Sequence, residues 1–208
     1  MLIFSAQKLA YIAVPKTGST AIDMALKPKA DILFTKRRKH MTAQRFHAKI
    51  APFLEKEFGL VLDRFAVMRE PEEQIRSWYR YRAREERDGD AFSTNDISFD
   101  EFVRAVISTD PPPFATIGSQ MGMLTGPGAA LRVHHLFAHE TPTQMRGFLT
   151  DRFQEEIALK PKNVSPAVPA DLDAATAKAL RKARASEFDL YARLQDADGH
   201  LHTATLDP

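Results

Sequence analysis

The sequence contains no cysteine. That excludes disulfides, thiolate metal centres and cysteine nucleophiles, and it fits a reducing compartment. It also lacks a long hydrophobic run. The N-terminal apolar stretch is interrupted by Gln7 and Lys8 and ends at Pro15, too short for a membrane span and without the charged start of a signal peptide. A soluble, cytoplasmic protein with no membrane span is expected. Nor does charge of one sign dominate: 29 Lys and Arg stand against 27 Asp and Glu, a formal charge of +2. Such a balance argues against a nucleic-acid binder acting through bulk charge, so any anion site must be local. No internal repeat and no low-complexity segment interrupts the chain.

With 208 residues and 44% hydrophobic content, the chain is long enough for one domain with a substantial core. Four short apolar runs read as strands, over residues 9–14, 32–35, 65–68 and 131–137, and helical patterns fall between them. Phe46, Ile50, Phe53, Leu54 and Phe58 recur at helical spacing behind Thr42, a residue suited to an N-cap. A second helix starts at Pro71, with Glu72 and Glu73 at its positive end, and runs to about Arg87. Ser98 and Glu101 have the spacing of a capping box. A further helix follows Thr141-Pro142 through Phe153, and residues 171–195 form a helical C-terminal part with Ser186 as a second N-cap, before a loose tail over 196–208. Strand and helix alternate, which predicts an α/β fold with a mostly parallel sheet of four to five strands, helices on both faces and ligands at the C-terminal ends of the strands.

One segment says what such an edge would bind. Val14-Pro15-Lys16-Thr17-Gly18-Ser19-Thr20 closes the first predicted strand and opens a helix. Gly18 lets the backbone approach an anion, Lys16 supplies a point charge, and Ser19 and Thr20 offer hydroxyls and amides at a helix N-terminus. The lysine precedes a single glycine, whereas a Walker A loop places it after the second of two, so an ordinary ATPase loop is excluded. A second anion signal closes the third predicted strand. Arg69 ends that strand, and Glu70-Pro71 leads into a helix carrying Ser77, Trp78 and Tyr79. In a parallel sheet both signals lie at one edge, where two basic groups and a serine can face a ligand with two separated anionic ends. A bisphosphorylated nucleotide has that form.

The pair V-P-K-T-G-S-T and R-E-P-E-E-Q-I-R-S-W-Y resembles the paired signature of the sulfotransferases that use 3′-phosphoadenosine-5′-phosphosulfate, in particular the bacterial branch similar to carbohydrate sulfotransferases. The resemblance implies a P-loop-NTPase-like three-layer fold. It implies that Pro15, Lys16, Thr17, Gly18, Ser19 and Thr20 hold the 5′-phosphosulfate, and that Arg69 and Ser77, eight positions apart, hold the 3′-phosphate. Lys39-His40-Met41-Thr42 is similar to a histidine segment of that branch, residues 133–140 to its fourth strand, and Asn163-Val164-Ser165 to its late loop. The implied reaction moves a sulfuryl group to a hydroxyl or amine of a small-molecule or glycan acceptor, leaves 3′,5′-adenosine bisphosphate, and requires no metal.

Sulfuryl transfer places negative charge on the oxygen leaving with the 5′-phosphate, and Lys16 with the amides of residues 17–20 has the chemistry to meet it, at roughly 3–4 kcal/mol per preorganised donor. The acceptor proton needs a base, and histidine titrates in the right range. His40, a few residues past the second predicted strand, is the first candidate, with His47 and Glu140 as alternatives. Other readings compete. Against a small-molecule kinase on a related fold, this sequence lacks both the Walker A pattern and an acidic Mg²⁺ ligand where Arg69 stands, and a non-catalytic nucleotide-binding protein would need no placed base. Lys36-Arg37-Arg38-Lys39 reads as a charged surface before an acidic-substrate rim. His134, His135 and His139, and His200 with His202, lack a carboxylate shell for a metal. Trp78, Tyr79 and Tyr81 read as core and helix-packing residues, with one aromatic near the adenine as the alternative, and Arg76, Arg80, Arg82, Arg84 and Arg87 as the exposed side of their helix. Residues 88–128 are expected to shape the acceptor pocket.

Overall fold

The computed structural model describes residues 1–84, 89–160 and 168–206. Its centre is a six-stranded sheet in the order β3-β1-β2-β4-β5-β6, with β1 at Leu2–Phe4, β2 at Leu9–Ile12, β3 at Ile32–Leu33, β4 at Asp63–Met68, β5 at His135–Ala138 and β6 at His200–His202. The parallel part is confined to β2, β4 and β5; the other three pairings are antiparallel. The expectation of a mostly parallel sheet of four to five strands is therefore corrected to a mixed sheet of six.

Both unforeseen strands have a local cause. Gln7 and Lys8, which interrupt the N-terminal apolar stretch, sit in a hairpin turn: Lys8 adopts φ 48 and its N–H donates to the Ser5 carbonyl at 3.0 Å, so Leu2–Phe4 folds back on Leu9–Ile12. Ser5 then anchors β3, since its N–H and Oγ both donate to Asp31 Oδ2, at 2.6 and 2.7 Å. At the other end, the expected loose tail contains β6. Asp198 and Gly199 take left-handed φ values of 52 and 79, reversing the chain so that His200 and His202 flank Leu201 with strand alternation. The two histidine groups, read separately in the sequence, meet here: His135 Nδ1 lies 3.0 Å from His200 Nε2, the His202 ring stacks 4.7 Å from that of His135, and the His200 ring 4.3 Å from Phe137.

A Cβ at Gly199 would overlap Thr141 Oγ1, and only glycine adopts that backbone conformation without strain. Gly199→Ala is expected to destabilise the protein by about 2–4 kcal/mol, seen as a lower denaturation midpoint with unchanged cooperativity.

Strand alternation sorts the core. Leu9, Tyr11, Phe65, Val67 and Phe137 pack in one cluster with Ile22 and Leu26 of α1 (Ser19–Leu26) and Met145, Leu149 and Phe153 of α7 (Pro142–Phe153). Ala10, Ile12, Ala66, Met68 and Leu136 pack in a second, with side chains of α2 (Ala43–Arg45), the π-helical turn Phe46–Ile50, α3 (Ala51–Phe58), α6 (Gln120–Leu124) and α9 (Ala185–Asp196). Both sheet faces are thus buried, which is why β2 and β4 read as near-continuous apolar runs. A third cluster joins α4 (Pro71–Arg82), α5 (Phe99–Val106) and α8 (Ala174–Ala183) through Ile75, Tyr79, Phe99, Phe102 and Leu180.

The caps follow the sequence closely. Thr42 accepts from the Arg45 N–H at 3.1 Å, and Ser98 with Glu101 closes a capping box. α8 and α9 break at Arg184 rather than at Ser186. α4 ends at Arg82, short of the expected Arg87, which lies outside the described residues, as does Asn163-Val164-Ser165. Among the described residues no helix is long and apolar enough to cross a membrane.

Candidate functional site

A cleft of about 530 Å³ opens where β2 and β4 run out. It gathers Pro15, Lys16, Gly18, Ser19 and Thr20 from the turn after β2, Arg69 from the end of β4, Ser77 from α4 and His40 from the segment after β3. Of the residues singled out in the sequence for a nucleotide or for chemistry, Thr17 and the alternative bases His47 and Glu140 are missing from this lining. Thr17 is close by. It is buried, and its Oγ1 donates to the Val14 carbonyl at 3.0 Å, so its side chain braces the turn from behind.

The turn is built by two left-handed residues, Lys16 at φ 67 and Gly18 at φ 75. Gly18 is also the N-cap of α1, which has no side-chain cap and no acid in its first turn. The positive end of the helix therefore points to the cleft that Ser19 and Thr20 line. The positive φ of Gly18 favours glycine there, and a Cβ would come within 3.2 Å of Cε1 of the His139 ring packed on it. α4 holds the turn from the other side, Gln74 Nε2 donating to the Pro15 carbonyl at 3.2 Å.

Arg69 is set by a chain of hydrogen bonds. Its N–H donates to Gln120 Oε1 at 2.9 Å, and Gln120 Nε2 returns a bond to the Arg69 carbonyl at 2.8 Å. Gln120 is fixed in turn by the buried Glu187, whose Oε1 accepts from both its N–H and its Nε2 at 3.2 Å. Burial pushes the Glu187 carboxyl up, against the opposing pull of Arg184 and Gln120. Next along the chain, the Glu70 N–H donates to Glu140 Oε1 at 3.0 Å, and Tyr191 Oη donates to Glu140 Oε2 at 2.8 Å. Glu140, an alternative base in the sequence, thus serves as a brace for the start of α4 and does not line the cleft. The guanidinium of Arg69 keeps spare capacity: Nη2 is a long 3.5 Å from Glu73 Oε2, and Nε is buried without a hydrogen-bond partner among the described residues.

His40 Nδ1 lies 2.7 Å from the Ala13 carbonyl oxygen. A carbonyl only accepts, so Nδ1 carries the proton and, in the neutral ring, Nε2 presents its lone pair. Loss of water around the ring lowers the His40 pKa, the hydrogen bond to Ala13 opposes this, and Lys39 adds to the lowering. The other histidine alternative is elsewhere: His47 Nδ1 accepts from Arg64 Nη1 at 3.0 Å, near the start of β4, and is not part of the cleft lining.

Helix geometry explains what the sequence reading of α4 got wrong. Ile75, Tyr79 and Arg82, at i, i+4 and i+7, are buried, whereas Ser77, Arg80 and Tyr81, at i, i+3 and i+4, share the opposite face and line the cleft. Tyr79 packs in the core as expected, but Trp78 and Tyr81 form a wall of the cleft on which Lys16 lies, its Nζ 3.5 Å from the Tyr81 ring centroid and 5.2 Å from that of Trp78. The arginines of this helix are not one exposed stripe. Arg82 is buried, donating to the Pro113 and Thr116 carbonyls at 2.9 Å, Arg76 pairs with Glu72 at 2.6 Å, and Arg80 turns to the cleft. The i, i+3, i+4 relation of residues 77, 80 and 81 was the available signal.

Two more residues were missed. His139 follows β5 as Arg69 follows β4, because Met68 pairs with Ala138, and its pKa is lowered by burial and then by Arg69. Lys39 also lines the cleft, its ammonium tied to Asp23 at 2.6 Å. No carboxylate is among the described lining residues, and four cationic side chains, two histidines and a helix N-terminus give the cleft a positive potential. Comparison with models of known protein families, with curated proteins and with solved structures returns no match.

Proposed function

We propose that this chain is a sulfotransferase that moves a sulfuryl group from 3′-phosphoadenosine-5′-phosphosulfate to a hydroxyl or amine of a small molecule or glycan, on a P-loop-NTPase-like three-layer fold. The observation that carries the reading is convergence: the turn at residues 15–20, Arg69, Ser77 and His40, separated by up to 62 positions between Pro15 and Ser77, border one cleft. Parallel pairing of β2 with β4 accounts for the meeting of the turn and Arg69, and the arrival of Ser77 from α4 and His40 from the segment after β3 at the same cleft is the further support.

The residues present fit the donor. Arg69 Nε and Trp78 Nε1 are buried donors without partners among the described residues, a cost that an anionic, hydrogen-bonding ligand would offset. When bound, the donor supplies an electrophilic sulfur whose bond to the bridging oxygen breaks as a bond to the acceptor oxygen or nitrogen forms, the electron pair leaving on the 5′-phosphate. Lys16 and the N-terminus of α1 stabilise the charge growing at that end. His40 takes the acceptor proton at Nε2. Arg69 and Ser77 grip the remote phosphate and fix the donor's orientation.

Calorimetric titration tests the reading directly. The protein is expected to bind 3′,5′-adenosine bisphosphate more tightly than ATP with Mg²⁺; the reverse order sinks the proposal and favours a kinase.

A further inference from the structure

We infer that Arg80 is a specificity-determining residue of the cleft, acting with Arg69 and Ser77 to select ligands that carry a phosphomonoester at the end remote from Lys16 over ligands with a hydroxyl there. The inference rests on the nucleotide reading above and adds to it a residue outside both sequence motifs.

Charge at this end of the cleft is unevenly met. Glu73, the carboxylate nearest Arg69, is shared with Arg76, whose Nε lies 3.3 Å from Glu73 Oε1 while Arg69 Nη2 lies 3.5 Å from Oε2. Arg80 has no carboxylate within ion-pair distance among the described residues. Its Nε donates to the Val168 carbonyl at 3.2 Å, which orients the planar guanidinium and leaves Nη1 and Nη2 for another acceptor. Because Arg80 stands one turn after Ser77 on the face of α4 that lines the cleft, its fork and the Ser77 hydroxyl serve the same region. Arg69, with part of one carboxylate, and Arg80, with none among the described residues, leave an excess of positive charge. A phosphomonoester, at about −1.5 to −2 near neutral pH, matches it, whereas a hydroxyl leaves both guanidiniums under-coordinated.

The experiment is calorimetric titration of wild type, Arg80→Gln and Arg80→Lys with 3′,5′-adenosine bisphosphate and with 5′-AMP. Wild type is expected to prefer the bisphosphate. Arg80→Gln is expected to weaken bisphosphate binding by roughly 10- to 100-fold and 5′-AMP binding by less than about threefold, collapsing the preference. Arg80→Lys, which keeps the charge without the fork, is expected to give an intermediate ratio. An unchanged ratio in Arg80→Gln, or equal weakening of both ligands, overturns the role of Arg80 while leaving the nucleotide reading intact. A wild-type protein without preference for the bisphosphate overturns both.

Discussion

Lys16→Ala is expected to lower the turnover of sulfuryl transfer by about 10²–10³-fold while changing the Kd for 3′,5′-adenosine bisphosphate by about tenfold or less. The asymmetry follows from where the charge lies. Lys16 sits in the turn that caps α1, beside the helix N-terminus, and in the structure its ammonium rests on the Tyr81 ring. That contact, worth roughly 0.5–2 kcal/mol, has to be exchanged for one with the ligand, so part of the ground-state gain is offset. The charge on the leaving oxygen grows only as the bond breaks, and a cation aimed there acts most strongly in the transition state. Arg69→Ala should show the reverse pattern, weakening bisphosphate binding by roughly 10- to 100-fold with little effect on turnover at saturating donor, since its guanidinium belongs to the remote end. Steady-state kinetics with binding titrations on both variants separate the two. Equal losses in both parameters for both variants would contradict the division of roles.

The convergence of the turn at residues 15–20 with Arg69 on one cleft was legible in the sequence because both segments sit at strand ends, and parallel strands deliver their C-terminal ends to one edge whatever the rest of the fold does. β2, β4 and α4 were readable because short apolar runs and a proline-led helix are local signals. What the sequence hid was long-range. Leu2–Phe4 and His200–His202 are three-residue strands stabilised by pairing with β2 and β5, and nothing in their composition announces a partner. The composition of α4 misled by its richness in arginine. Charge suggested an exposed face, yet Arg82 is buried against three backbone carbonyls and Arg80 faces the cleft, because carbonyls and an anion site take guanidinium groups as well as water does. His139 was invisible for a third reason: it matters through β4–β5 register, which sets it beside Arg69 and over Gly18.

The supports of the two motifs differ in kind. The turn at residues 15–20 is held by short-range geometry, through positive φ at two positions and the Thr17 bond to Val14 three residues back. Arg69 is held by groups from far along the chain, Gln120 and Glu187, through a buried network. A mutation in the network, Gln120→Ala for instance, removes the mutual pair of bonds with the Arg69 backbone and the Nε2 bond to Glu187 while keeping the backbone N–H bond to that carboxyl, a loss that reaches the cleft through the backbone rather than through charge.

His40→Ala is expected to reduce transfer by about 10²–10⁴-fold, the range for a lost general base, with bisphosphate binding retained. The pH profile gives a check that does not depend on the size of that loss. In the proposed reaction the base is the neutral His40 ring, with the proton on Nδ1 and bonded to Ala13. Its pKa lies below the ordinary 6.5, so in the free enzyme the neutral form already prevails near neutral pH. The rate constant kcat/KM is therefore expected to be flat above pH 6.5 and to fall by about tenfold per pH unit once pH drops below the His40 pKa. The sign is fixed by the chemistry: adding a proton to Nε2 removes the lone pair that accepts from the acceptor. In His40→Ala this acid limb should disappear along with the rate. An acid limb that persists in the variant would move the base to another group, and His139, the second histidine bordering the cleft, is the one in position to show it, since its pKa is also lowered, by burial and by Arg69.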